Sequence, residues 1–127
     1  FTLTDNTCRV LTGLWLDPYT NMYFSASSEL DIDHLVPLKY AWTRGAYNWP
    51  KSKRVKFSND ESNLFAVKKS VNRQKSAMGP AMWLPPSDNF KCEYIKLFQG
   101  IVTKYDLRQA DDELSEIDIK MDKFCVN

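Results

Sequence analysis

Histidine occurs once in this chain and cysteine three times, and no apolar run reaches the length of about eighteen residues at which a membrane-spanning helix is read. The one histidine and three cysteines are scattered along the chain and do not form the thiolate and imidazole clusters around which a structural zinc is built. Without a long apolar run the chain is expected to be soluble, with no membrane partner. Its beginning, Phe1-Thr-Leu-Thr-Asp5, has neither a basic leader nor a hydrophobic signal core, so any secretion signal is expected to have been removed. Internal repeats, low-complexity tracts and long linkers are missing as well. With 127 residues, 43% of them apolar, and four tryptophans, residues 1–127 are expected to form one domain around one core.

Neither sign of charge is in excess, the net value being +1, but the charges are unevenly placed. Residues 39–75 hold ten basic side chains against Asp60 and Glu61. Residues 1–38 hold one basic and five acidic, and residues 106–127 three basic and seven acidic. A basic middle between acidic ends points to a surface that faces a polyanion; a solvated lysine-rich face is the plainer alternative.

What is present reads as a mixed α and β chain. Gly13–Leu16 and Met22–Ser25 are aromatic-rich strands on either side of a turn opened by Asp17-Pro18. Glu29–His34 alternates acidic and apolar residues, which predicts a strand with Asp31 and Asp33 on one face and Leu30, Ile32 and His34 on the other. Pro37 ends it. Short helices are expected over Leu38–Gly45 and Pro50–Phe57, a buried strand over Asn63–Val67, and a helix capped by Ser70 that stops before Gly79-Pro80. Helical spacing of apolar residues then predicts Phe90 to about Lys104 and Ala110–Phe124, joined by a turn near Asp106.

Such a helical hairpin would bring Cys92, near the start of one helix, beside Cys125 at the end of the other, the placement a disulfide requires. Two buried free thiols are the alternative. A disulfide would favour an oxidising compartment. Cys8 would remain free, intermolecular, or separated from a partner elsewhere.

The chemistry-bearing residues are Asp33-His34 closing one strand, Asn63 opening the next and Asn72 on the following helix. On "DIDHLVPL" (31–38), "RVKFSNDESN" (54–63) and "NRQKSAMGPAMWLPP" (72–86), the chain resembles the HNH nucleases with a ββα-metal finger, in particular the secreted bacterial group with the GmrSD-type C-terminal nuclease domain. "TGLWLDPYT", "GAYNW" and "FKCEYIKLF" extend the likeness to nearly the whole chain. The resemblance implies an α+β fold: a ββα-metal core over about residues 29–80, an upstream β-hairpin and a C-terminal antiparallel helical hairpin. It also implies a secreted or periplasmic endonuclease acting on DNA, with RNA as a second candidate substrate, and leaving 5′-phosphate and 3′-hydroxyl ends.

By the same resemblance, His34 is the general base, and Asp33 and Asn72 hold one divalent cation through oxygen, a donor set suited to Mg²⁺ or Mn²⁺. Adjacent strand residues face opposite ways, so an irregular strand end or bulge before Pro37 is expected to let Asp33 and His34 border one pocket. Asn63, the middle asparagine of the catalytic set, is expected to tie the loop between the strands through backbone hydrogen bonds. Arg73, Lys75 and Arg54 are candidates for phosphate contact, although a salt bridge from Arg54 to Asp60 would explain that arginine equally well. Asp31 reads as a solvated strand residue or as a partner behind the metal ligands. The four tryptophans are expected to pack in the core and beneath a lid rather than to stack on bases. No module presents a row of base-reading side chains, so little sequence preference is expected. The rival readings are a non-catalytic nucleic-acid-binding module and the cutting domain of a larger modification-dependent or toxin-type nuclease.

Overall fold

The computed structural model describes residues 12–126 together with two short paired strands, β1 (Leu3–Thr4) and β2 (Arg9–Val10). Cys8 lies outside the described residues. The chain continues through β3 (Thr12–Asp17), β4 (Met22–Ala26), β5 (Leu30–His34), α1 (Leu38–Thr43), α2 (Lys51–Ser58), β6 (Leu64–Lys68), α3 (Lys69–Lys75), α4 (Asp88–Lys104) and α5 (Asp111–Phe124). The described strands form three two-stranded antiparallel sheets, so the fold is α+β.

β3 and β4 make a hairpin because Asp17 builds its turn. One carboxylate oxygen accepts from the Tyr19 backbone N–H at 2.9 Å and the other from the Thr20 hydroxyl at 2.7 Å. Asn21 takes the left-handed conformation (φ 57°) that asparagine tolerates better than most residues. Asp17 is fully buried and also accepts from the Lys68 backbone N–H at 3.3 Å, which pins the turn to the β6–α3 junction.

β5 pairs with β6 in unbroken antiparallel register from Leu30↔Lys68 to His34↔Leu64. The excursion between them carries α1 and α2, and Asn63 closes its neck. Its Oδ1 accepts from the Val36 N–H at 2.8 Å and its Nδ2 donates to the Val36 carbonyl at 3.1 Å, while the Leu35 N–H bonds the Asn63 carbonyl at 2.8 Å. Because Asn63 is completely buried, these bonds satisfy groups that water cannot reach. α3 follows β6 without a loop and packs against both β5 and β6.

Three local expectations change. Lys68 rather than Ser70 precedes α3, so Ser70 lies in the helix and caps nothing; the direct strand-to-helix passage leaves the cap position to the last strand residue. β6 is only half-buried apart from Val67, since a two-stranded sheet cannot cover both of its faces. No bulge interrupts β5, because Leu35 continues the bonding toward Asn63 instead of breaking away.

One hydrophobic cluster joins the elements, running from Tyr19 through Tyr94 and Phe98 to Tyr40 in edge-to-face and tilted ring contacts. α4 contributes Tyr94, Phe98, Ile101 and Val102 to it, a helical stripe. Gly79 sits where a Cβ would come within 2.6 Å of the Tyr40 ring, so only glycine allows that approach. Cys92 and Cys125 form a disulfide with Cα atoms 5.0 Å apart, tying the start of α4 to the end of α5. Closing a 33-residue separation stabilises the fold by roughly 3–4 kcal/mol in the chain-entropy account. No helix among the described residues is long and apolar enough to cross a membrane.

Candidate functional site

The β5–β6–α3 unit gathers the polar residues singled out above. Asp33, almost completely buried at the end of β5, is gripped from two sides. Lys75 Nζ lies 3.1 Å from one carboxylate oxygen and 2.9 Å from the other, and the Tyr19 hydroxyl donates to the second at 2.5 Å. The Lys75 ammonium also donates to the His34 carbonyl at 2.9 Å. Burying an ammonium is tolerable only with such partners, and two of the three donors of Lys75 are accounted for in this way. Burial lowers the Lys75 pKa, while the neighbouring Asp33 charge pulls the opposite way. Burial, reinforced by the Asp33 carboxylate, drives the Tyr19 hydroxyl far above its ordinary value, so Tyr19 acts as a fixed donor.

Asp31, two residues earlier on the same face of β5, accepts from Asn72 Nδ2 at 3.2 Å and lies 3.9 Å from Arg73 Nε. It is therefore a partner of α3 rather than a solvated strand residue. With its amide nitrogen engaged, Asn72 keeps its carboxamide oxygen as an acceptor that makes no hydrogen bond among the described residues. Asn72 and Lys75, three positions apart on α3, share the side turned to β5.

His34 leaves β5 on the opposite face, as strand alternation requires. Its Nε2 lies 2.9 Å from the Ser58 carbonyl at the end of α2. A carbonyl can only accept, so the ring proton belongs on Nε2 and the lone pair on Nδ1. That tautomer is the one in which Nδ1 can take a proton. Asp33 and His34 are thus adjacent in sequence, at the last two rungs of the ladder, but face different ways.

A divalent cation would find oxygen donors here: the Asp33 carboxylate, the Asn72 carboxamide oxygen and, behind them, Asp31. Among the described residues no three His, Cys, Asp or Glu side chains converge as a closed cage. A sparse set of this kind suits Mg²⁺, which keeps several waters and is usually held by one or two carboxylates plus phosphate oxygens. The donors are oxygens of the right kind, but both Asp33 oxygens already accept from Lys75 or Tyr19, so a cation would share the carboxylate with those donors.

The basic middle of the chain divides in two. Arg44 is bonded to Glu113 by two hydrogen bonds of 2.9 Å, Lys75 is tied to Asp33, and Arg73 lies near Asp31. Lys39, Lys68, Lys69 and the four cations of α2 (Lys51, Lys53, Arg54 and Lys56) make no ion pair among the described residues. A salt bridge from Arg54 to Asp60 does not form, because Asp60 is taken by Lys104 and the Tyr105 hydroxyl, each at 2.6 Å. The Lys104 contact, with those of Ser62 and Tyr105, holds the Asp60 carboxyl well below the usual carboxylate range. Burial and the bond to Asp60 push Tyr105 up to about 12. Arg54 instead stands over the Trp42 ring, 5.7 Å from its centre.

Lys75 is fully buried beneath Asp33 rather than on the surface where phosphate would meet it, whereas Arg54 and Arg73 remain accessible. Trp15 is buried and Trp49 and Trp83 are packed on the core, but Trp42 is half exposed, contrary to expectation. Sequence reasoning missed Tyr19 and the Ser58 carbonyl as partners of the site. The spacing of Lys75 from Asn72 did hold a signal, since residues three apart on a helix share a face. Tyr19 carried none, lying fourteen residues before Asp33 in the turn between β3 and β4.

Over residues 2–117 the chain matches the family described as GmrSD restriction endonucleases, C-terminal domain. A protein of Arthroderma benhamiae described as an uncharacterized secreted protein is 39% identical over 115 residues, covering 89% of this chain. The match takes in 56% of that relative, so the chain spans little more than half its length. No solved structure matches.

Proposed function

The chain belongs to the family of GmrSD restriction endonuclease C-terminal domains, and from that premise we propose that it is a metal-dependent endonuclease cutting DNA, with RNA as a second substrate, and with little sequence preference. The observation that carries this reading is the imidazole of His34, with Nε2 committed to the Ser58 carbonyl and Nδ1 left as acceptor, next to a carboxylate fixed by Lys75 and Tyr19. In this reading the scissile phosphodiester is set across the end of β5, with Asp33 on one face of the last rungs and His34 on the other.

In this mechanism His34 Nδ1 removes a proton from water as the water oxygen bonds to phosphorus and the bond to the 3′ oxygen breaks, and the leaving 3′ oxygen takes a proton from solvent water to become the hydroxyl. Asp33 and Asn72 would hold one Mg²⁺ or Mn²⁺, which when bound supplies charge stabilisation at the phosphate and the leaving oxygen. Lys75 and Tyr19 keep the Asp33 carboxylate in place. Asn63 holds the neck of the excursion that delivers Ser58 to His34, acting by position rather than by touching substrate. Arg54, Arg73 and the unpaired lysines supply phosphate contacts, which bind without reading sequence. Binding then weakens steeply with added salt.

The disulfide and the secreted relative support secretion of this chain as well. Because that relative is much longer, a second reading keeps the domain as the cutting part of a larger protein.

A plasmid-nicking assay tests the proposal. Mg²⁺-dependent cleavage by the wild type, abolished by EDTA and reduced by a factor of a hundred or more in His34→Ala (general base catalysis contributes about 10²–10⁴), is expected. Equal cleavage by His34→Ala overturns the mechanism, and binding without cleavage by both proteins makes the domain a nucleic-acid-binding module.

A further inference from the structure

A hollow of about 390 Å³ opens between α1 and α2, within the range of about 300–1,000 Å³ typical of small-ligand sites. Its lining is apolar except for Lys51 and Arg54 at its rim and Ser58, and it contains no acidic residue. Trp42 lines it while 49% exposed, in edge-to-face contact with the 58% exposed Tyr47. Ser58 belongs to the same lining, and it is the Ser58 carbonyl that accepts from His34 Nε2 at 2.9 Å. Ser58 therefore links the hollow to the Nε2 side of the His34 ring.

We propose that this hollow is a subsite for an unpaired nucleobase, which stacks on Trp42 while its flanking phosphates lie against Lys51 and Arg54. The proposal rests on the nuclease reading and deepens it: the strand presented to His34 is single or locally opened. A flat ring bordered by cations is the combination by which proteins hold single-stranded nucleic acid, because every base has a face to stack and every nucleotide carries a negative charge. Charge also disfavours a second copy of the chain as occupant. A twofold interface here would set α2, with four cations and no ion pair among the described residues, against itself.

The test is the affinity of the whole chain for a short fluorescent deoxyoligonucleotide, single-stranded or annealed, measured in EDTA so that nothing is cut. Trp42→Ala is expected to weaken single-strand binding about tenfold, the scale of one lost base–aromatic stack. Duplex binding should change less than about twofold, and Trp42→Phe should restore most of the loss. A single-stranded oligonucleotide with abasic sites should bind the wild type about as weakly as the normal strand binds Trp42→Ala, an arm that needs no folded variant. Unchanged single-strand affinity in Trp42→Ala, no loss with the abasic strand, or no measurable single-strand binding by the wild type overturns the proposal. So does a dimer that Trp42→Ala dissolves while affinity stays the same. Plasmid nicking and its loss in His34→Ala are read separately, so the subsite can fail while the nuclease reading stands.

Discussion

Replacing Lys75 by methionine tests the idea that an internal ammonium holds the site together. Methionine fills a similar volume, so little cavity is created, but the contacts of 3.1 and 2.9 Å to Asp33 and the 2.9 Å bond to the His34 carbonyl disappear. Removing one member of a buried pair leaves the other charge uncompensated, at a cost of about 3–5 kcal/mol. The Tyr19 hydroxyl still donates to Asp33, which places the expected loss near the lower end, about 3 kcal/mol. At the usual unfolding entropy per residue, a chain of this length should then melt about 11 °C lower. Urea unfolding followed by tryptophan fluorescence, disulfide intact, measures the loss. A cycle with Asp33→Asn and the double variant isolates the pair, and a coupling of about 2 kcal/mol is expected because the residues touch. Additive losses, or a Lys75→Met loss below about 1 kcal/mol, would refute the reasoning and make the contact incidental.

Four further outcomes follow from the same structure. Asn63→Ala strands the buried N–H and carbonyl of Val36, so a loss of about 2–6 kcal/mol in urea unfolding is expected, at 1–3 kcal/mol for each of the two orphaned groups. Gly79→Ala drives a methyl into the Tyr40 ring at 2.6 Å, and overpacking of this kind should destabilise by about 1–3 kcal/mol in thermal melts. Asp60 has a lowered folded pKa, so its contribution is present above its unfolded value of about 3.9 and is lost as pH falls through the folded value; the stability gap between wild type and Asp60→Asn should hold at neutral pH and close in acid. For Tyr105 the sign is opposite: its folded pKa is raised to about 12, so its contribution is present below pH 10 or so and is lost as pH climbs past 12, a second limb that Tyr105→Phe should remove.

The amino-acid order alone determined much of the local structure and the identity of the polar set. Alternation in "LDIDH" places Asp31 and Asp33 together and His34 opposite, because strand side chains alternate, and β5 obeys this through its last rung. Apolar spacing gives α4 and α5, and with them the Cys92–Cys125 disulfide, because a helical hairpin brings the start of one helix beside the end of the next. Asn63 as the loop tie was an expectation from the family resemblance, and its chemistry agrees: a side-chain amide can satisfy a neighbouring N–H and C=O at once.

Contacts between distant segments were decided only by tertiary structure. The turn that Asp17 builds carries Tyr19 onto Asp33 from the β3–β4 hairpin, and the end of α2 brings the Ser58 carbonyl to His34 from twenty-four residues away. Neither leaves a local pattern, because the partner atoms meet only after the chain has packed. The same holds for charge. Ten cations in the middle of the sequence look alike until folding pairs Arg44, Arg73 and Lys75 with carboxylates and leaves α2 without them. Residue type sets what each side chain can do, while burial and the company imposed by packing select which of those capacities is used.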